Sequence, residues 1–203
     1  MNAAKIRLSA EEKELVMNIQ WILTKNSVLQ KINQLFGNLQ VCQQKFIQHY
    51  YDKLPAGFTH SSPKISKGNN YKNLPYLILD YPKHFDEVAV FAIRTMFWWG
   101  NFFSITLHIA GTYQQGFENK ITAAYPLLKK NGFCCCVNSN QWEHHFDPDN
   151  FIPINQLTET DFKGYIQSKK FIKIAKKTSP DLWDDLPEIL LDDYKLLIRI
   201  VSA

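Results

Sequence analysis

His108, Thr106, Ser104 and Thr95 are the first residues whose types and spacing suggest chemistry: an imidazole and hydroxyls alternate along two apolar segments that flank Gly100-Asn101. Gly100-Asn101 is expected to be a two-residue turn between antiparallel strands, which pairs Trp99 with Phe102, Phe97 with Ser104, Thr95 with Thr106 and Ile93 with His108. One face of that hairpin is then aromatic with a polar lane down it. Apolar walls with a few convergent polar groups are what a small-molecule pocket requires, so Phe91, Thr95, Phe97, Trp99, Ser104, Thr106 and His108 form the expected ligand-binding set. The plainer alternative is ordinary strand composition with one hydrogen-bonded histidine. On the opposite face Arg94 needs an acidic partner if buried, and Asp80 is the expected one.

A second constellation, Glu143-His144-His145-Phe146-Asp147-Pro148-Asp149, concentrates imidazole and carboxylate groups near Cys134 and Cys136, the donor types of a divalent-cation site. The spacing matches no metal motif and adjacent strand histidines point to opposite faces, so no metal is assigned. His108 and His144 are the candidate general bases if the chain is an enzyme. A third group, Lys64, Lys67 and Lys72, lies in a Ser-, Gly- and Asn-rich stretch expected to be a flexible loop able to hold an anion. It lacks the spacing of a phosphate-binding P-loop, and a solvated connector is the plainer reading. Lys163, Lys169, Lys170, Lys173, Lys176 and Lys177 make a basic cluster, followed at once by Asp181, Asp184, Asp185, Glu188, Asp192 and Asp193, and the two runs are expected to neutralise each other. The signatures of serine hydrolases, zinc proteases and dinucleotide-binding enzymes are absent from the sequence.

The chain that must position these groups has 203 residues, 45% of them apolar, 14% aromatic and 21% charged, which excludes a disordered polymer, a collagen or a disulfide-stapled mini-protein. Its net charge of +4 is small for a dedicated nucleic-acid binder. The four cysteines, Cys42 and the consecutive Cys134, Cys135 and Cys136, cannot build a framework of separated cross-links, and Glu11, Glu12 and Glu14 stand where a secretory leader needs an apolar run. A cytoplasmic location is expected. The apolar stretch from Val88 to Gly111 invites a membrane-spanning helix, but its central Gly-Asn, its β-branched and aromatic residues and the polar Arg94, Asn101 and His108 favour a hairpin in water.

Hydrophobic periodicity and capping signals predict a first helix from the Ser9–Glu12 capping box to Lys25, and after a break at Asn26-Ser27 a second, glutamine-rich helix to the residues before Pro55. A long connection over 55–75, a strand over 76–81 and the aromatic hairpin follow. Then come a helix over 116–130 that Pro126 must interrupt, strands over 133–137 and 141–146, a helix over 160–167, a strand over 170–175 and a terminal helix over 182–201.

This order is not a βαβ alternation and predicts an α+β fold, with an N-terminal helical hairpin packed on a mostly antiparallel sheet with further helices. The whole chain is expected to be one domain, with the helical hairpin in 1–54 and the sheet in 55–203. The expected role is a small-ligand or protein-binding module using the aromatic and hydroxyl face of the sheet. The alternative is a hydrolase or transferase acting on a phosphate-bearing substrate, with or without a metal. No cofactor is identified by the sequence. A small molecule or a protein segment is the expected partner, nucleic acid and membrane are not, and self-association through the glutamine-rich helix or the aromatic surface is left open.

Overall fold

Two tight turns, each with its own backbone chemistry, set the pairing of the first four strands. A computed structural model describes residues 6–55, 58 and 61–203. Residues 1–5, and 56, 57, 59 and 60 within the expected connection, lie outside the described part. The rest of that connection is largely strand: β1 (Lys64–Tyr71) turns into β2 (Leu74–Phe85) through Lys72-Asn73, both at positive φ (48° and 65°). Two successive positive φ values make the tight turn whose twist matches a hairpin, and it is built here without glycine. Pro82 falls where the β2–β3 register shifts, between Asp80 and Lys83, a place where a strand tolerates the missing N–H.

The aromatic hairpin of β3 (Ala89–Trp98) and β4 (Phe102–Gly111) is present, but its register differs by one residue from expectation. Asn101 N–H donates to the Trp98 carbonyl and Gly100 has φ +72°, so the turn is centred on Trp99-Gly100 and three residues separate the strands. Trp98 therefore pairs with Phe102 and Phe97 with Phe103. Because side chains alternate with a period of two, the shift changes which residues share a face. Phe91, Ile93, Thr95 and Phe97 join Phe103, Ile105, Leu107 and Ile109, while Ala92, Arg94, Met96 and Trp98 join Phe102, Ser104, Thr106 and His108.

Seven strands complete one antiparallel sheet in the order β1-β2-β3-β4-β7-β5-β6, where β5 is Cys134–Cys136, β6 is Phe151–Pro153 and β7 is Phe171–Thr178. The expected strand over 141–146 is instead part of an irregular segment between β5 and β6, and Phe151–Pro153 takes the edge beside β5.

Helices cover one face. After α1 (Ala10–Met17), the break falls at Asn18 rather than Asn26-Ser27: the Asn18 side chain accepts from Trp21 N–H, and α2 (Ile19–Ile47) runs unbroken through Asn26 and Ser27. From α2, Ile32, Phe36, Leu39 and Ile47 enter the core, and Phe36 meets Phe103 edge-on at 6.4 Å. Pro126 restarts the helix as expected, giving α3 (Gln114–Ala123) and α4 (Tyr125–Lys130). Thr158 and Asp161 form a capping box on α5 (Glu159–Ser168). The terminal α6 (Leu186–Val201) lies against α2 and β4, and Lys176 of β7 meets its Asp193 at 2.8 Å, one pair drawn from the adjoining basic and acidic runs. The result is an α+β fold with an N-terminal helical region on a large antiparallel sheet and further helices. Among the described residues no helix is long and apolar enough to cross a membrane.

Two glycines with similar φ carry different constraints. At Gly100 an added Cβ meets open space, whereas at Gly111 (φ +64°) it would lie 1.8 Å from the Val88 carbonyl oxygen. Gly100→Ala is expected to cost about 1 kcal/mol, the left-handed penalty alone. Gly111→Ala should cost at least about 2 kcal/mol, because the backbone itself must move. Urea unfolding of both variants checks the difference.

Candidate functional site

The sheet face without helices carries a strip of paired titratable side chains. Lys64, Asp80, Arg94 and Thr106 are cross-strand neighbours on β1 to β4, and His108 is paired with Lys173 of β7 one step along. Asp80 accepts from Arg94 at both ends of the guanidinium, Nε to Oδ1 at 2.8 Å and Nη2 to Oδ2 at 3.0 Å, with side-chain exposures of only 7% and 16%. A two-pronged pair of this kind is geometrically selective, and its burial makes each partner obligatory for the other.

The segment from Val137 to Asn150 closes over this face, and the polar residues beneath are largely spent on holding it. The buried Lys173 ammonium donates to the backbone carbonyls of Gln141 (3.1 Å) and Glu143. Lys169 does the same for Cys136 (3.1 Å) and Asn138 (2.7 Å). The Tyr71 hydroxyl donates to Glu143 Oε2 and accepts from the backbone N–H groups of His144 (2.8 Å) and His145 (3.0 Å). Phe146 supplies the apolar anchor, stacked on Phe151 at 4.7 Å and edge-on to Phe102 at 5.1 Å.

Both candidate bases sit in this arrangement. Arg94 Nη1 lies 3.2 Å from His144 Nε2, and because arginine can only donate, Nε2 accepts and the proton belongs on Nδ1. Burial, then the charges of Lys173 and Arg94, hold the His144 pKa well below its ordinary value, in keeping with that neutral form. His108 is pushed down to about 4, by burial first and against the hydrogen bond to Gln141 Oε1 at 2.9 Å. Burial also lowers Lys173 to about 8 and raises the Tyr71 phenol to about 12.

Arg94 and His144 also line a cavity of about 380 Å³, whose walls include Tyr71, Tyr76, Ile78, Met96 and Trp142, with Ser66 and Lys67 at the β1 rim. Larger cavities of about 480 Å³ between α2 and the β1–β2 hairpin and about 500 Å³ between α2 and α6 contain no histidine or arginine in their walls.

The seven residues expected to bind a ligand do not converge. Phe91, Thr95 and Phe97 are buried on the helical face, where Trp99 also packs against the core, while Ser104, Thr106 and His108 are buried on the other. The cause is the one-residue register difference at Gly100. The anion-binding lysines separate likewise: Lys64 and Lys67 alternate on a strand instead of sharing a loop, and Lys72 at the hairpin tip lies 3.7 Å from Asp147. His145 Nδ1 lies 2.9 Å from Asp147 Oδ2 and 3.9 Å from Asp149 Oδ1, so one His–Asp cluster does form in the segment the sequence singled out. The cysteines are free thiols, and burial raises Cys134 to about 11 and Cys135 to about 12, which makes both poor nucleophiles. Met96 and Arg94 share a face in either register, and what the sequence did not show is the cavity they line, because its cover, Trp142 and His144, comes from a segment expected to be a strand. The signal that was available was Arg94 itself, a charge in an apolar strand.

The fold and cavity together define a class, an α+β protein whose antiparallel sheet has helices on one face and a tethered loop over a small polar cavity on the other. No family model, curated protein or solved structure matches the chain.

Removing Asp80 should strand the Arg94 charge. Asp80→Ala is expected to lower the unfolding free energy by about 3–5 kcal/mol, and the apolar double variant Asp80→Leu/Arg94→Met by much less, as measured by denaturant unfolding. Acid tests His108. Unfolded, the ring titrates at 6.5, and folded at about 4, so its contribution is complete above pH 6.5 and is lost as pH falls from 6.5 to 4. The stability advantage of wild type over His108→Gln should shrink by on the order of 3 kcal/mol across that interval.

Proposed function

We propose that the protein is a small-ligand binding module whose site is the cavity between the β1–β2–β3 face and the Trp142–His144 part of the covering segment. The observation that carries this is the convergence of Arg94 and neutral His144 on one aromatic-walled cavity of about 380 Å³, within the range of small-molecule sites. Tyr71, Tyr76 and Trp142 offer ring faces and edges, and Arg94, already bound to Asp80, retains N–H groups for one acceptor. The chemistry fits a small planar molecule bearing a carboxylate or carbonyl. Four free cysteines support a reducing, cytoplasmic setting. A hydrolase or transferase acting on a phosphate-bearing substrate has weaker support: His144 is at the cavity, but its hydrogen bond from Arg94 occupies the nitrogen a base would use, and the three lysines are dispersed.

A thermal-shift series with benzoate, 4-hydroxybenzoate and indole-3-acetate tests the reading. At least one is expected to raise the melting temperature in a saturable way, since a ligand at 100 times its Kd adds about 2.7 kcal/mol. Ser66→Tyr, which fills the cavity from the edge strand, and His144→Leu should each remove the shift. No shift with any compound, or one that persists in Ser66→Tyr, refutes the site.

A further inference from the structure

We infer that the outer edge of β1 is a docking strand for an extended acidic segment of a partner protein. The segment joins the sheet beyond β1 and sends successive side chains into the cavities on its two faces, so the inference rests in part on the cavity assigned above. Among the described residues β1 is the outermost strand at its end of the sheet, pairs only with β2 and has no buried residue. The alternate backbone N–H and C=O groups turned away from β2 are therefore open to another chain. Regular pairing runs from Lys64 to Gly68 and shifts before Tyr71, which confines the docking strip to that stretch. The cavity of about 480 Å³ lies on the helical face and that of about 380 Å³ on the other, and both reach the edge at Ser66 and Lys67. Side chains of an added strand alternate between faces, so neighbouring residues of one extended segment enter the two cavities in turn. A helical segment has no such alternation and leaves the backbone groups of β1 unpaired.

Charge selects the occupant. Between Leu15 and Leu79, a span that includes α2 and β1, the one acidic residue is Asp52, and neither cavity has an acidic residue in its walls. The register puts Lys64 and Ser66 on the loop side with Asp80 and Ile78, and Ile65 and Lys67 on the helical side with Leu79 and Leu77. Asp80, opposite Lys64, is bound through both oxygens to Arg94, so each face of the edge keeps one lysine for an acidic side chain. On the loop side a carboxylate meets Lys64 and the remaining Arg94 N–H groups. On the helical side the amides of Asn26, Gln30 and Asn33 stand beside Leu29 and Leu77, which suits an apolar or amide side chain next. A second copy of the chain is a poor occupant, because pairing two β1 edges brings Lys64 and Lys67 of both copies into one short interface, and edge lysines are a device against such pairing.

Fluorescence anisotropy of the full chain with two labelled, end-blocked heptapeptides, Thr-Glu-Val-Glu-Val-Glu-Thr and Thr-Glu-Gln-Glu-Gln-Glu-Thr, tests the inference. At least one is expected to bind with a Kd on the order of 10 μM, as suits a contact below the standard interface size, and to slow hydrogen exchange at Lys64–Gly68. Replacing its glutamates by lysine should weaken binding roughly tenfold or more. Lys64→Glu/Lys67→Glu, at two exposed positions, should do the same with unchanged far-ultraviolet circular dichroism. Methylating the peptide's backbone nitrogens at either the odd or the even positions separates strand addition from charge attraction: one pattern should abolish binding and the other should retain most of it. No binding by either peptide, equal effects of the two methylation patterns, or β1 amides already protected in a wild-type dimer would each overturn the inference. Aromatic carboxylates that still raise the melting temperature while both peptides fail would sink the docking strand and leave the cavity reading intact.

Discussion

Lys173 carries an ammonium group into a face of the sheet that water scarcely reaches, and the carbonyls of Gln141 and Glu143 are what satisfy it. The rest of that face follows from this requirement. A buried cation needs acceptors, the strands have already committed their carbonyls to each other, and so the acceptors come from a segment free of regular structure. The segment is therefore irregular because its backbone is used as a ligand for side chains below it. Lys169, Tyr71 and His108 extend the same logic, each holding a different stretch, and Arg94 reaches His144 only because Asp80 fixes its guanidinium.

The two faces of the sheet solve the burial problem differently. Beneath the helices the contact is apolar and continuous, from Phe36 and Ile47 of α2 to Leu197 and Val201 of α6. Beneath the loop two small apolar clusters, around Met96 and Trp98 at one side and Phe151 and Phe171 at the other, flank a polar strip. Apolar packing is tolerant of small sliding, whereas hydrogen bonds to charged groups are directional. The loop face is thus the one whose geometry is specified residue by residue, which suits a site.

Much of the architecture was legible. The capping box at Ser9, the restart at Pro126 and the hairpin around Gly100 follow from local chemistry and are found in the structure. Asp80 and Arg94 were also recoverable as a pair, because an unpartnered charge in an apolar strand demands an opposite one nearby. What was not legible is the register, which depends on whether Gly100 takes the first or the second central position of its turn. That single choice moved Thr95 and Phe97 to the face opposite Thr106 and His108 and dissolved the expected site. The Lys72-Asn73 turn was missed for a related reason: Asn73 suits positive φ, but its first central residue is Lys72, which seldom adopts it. The covering segment has no periodicity, since its order comes from side chains distant in sequence.

The three-cysteine strand has a further consequence. β5 is joined to β7 by two residue pairs and to β6 by three, so it is a short splice between the main sheet and its far edge. Cys135 and Cys136 are buried there as unreactive thiols and become accessible only when that splice parts. Their rate of alkylation is then a clock for local opening at one named place, built into the chain without any added probe.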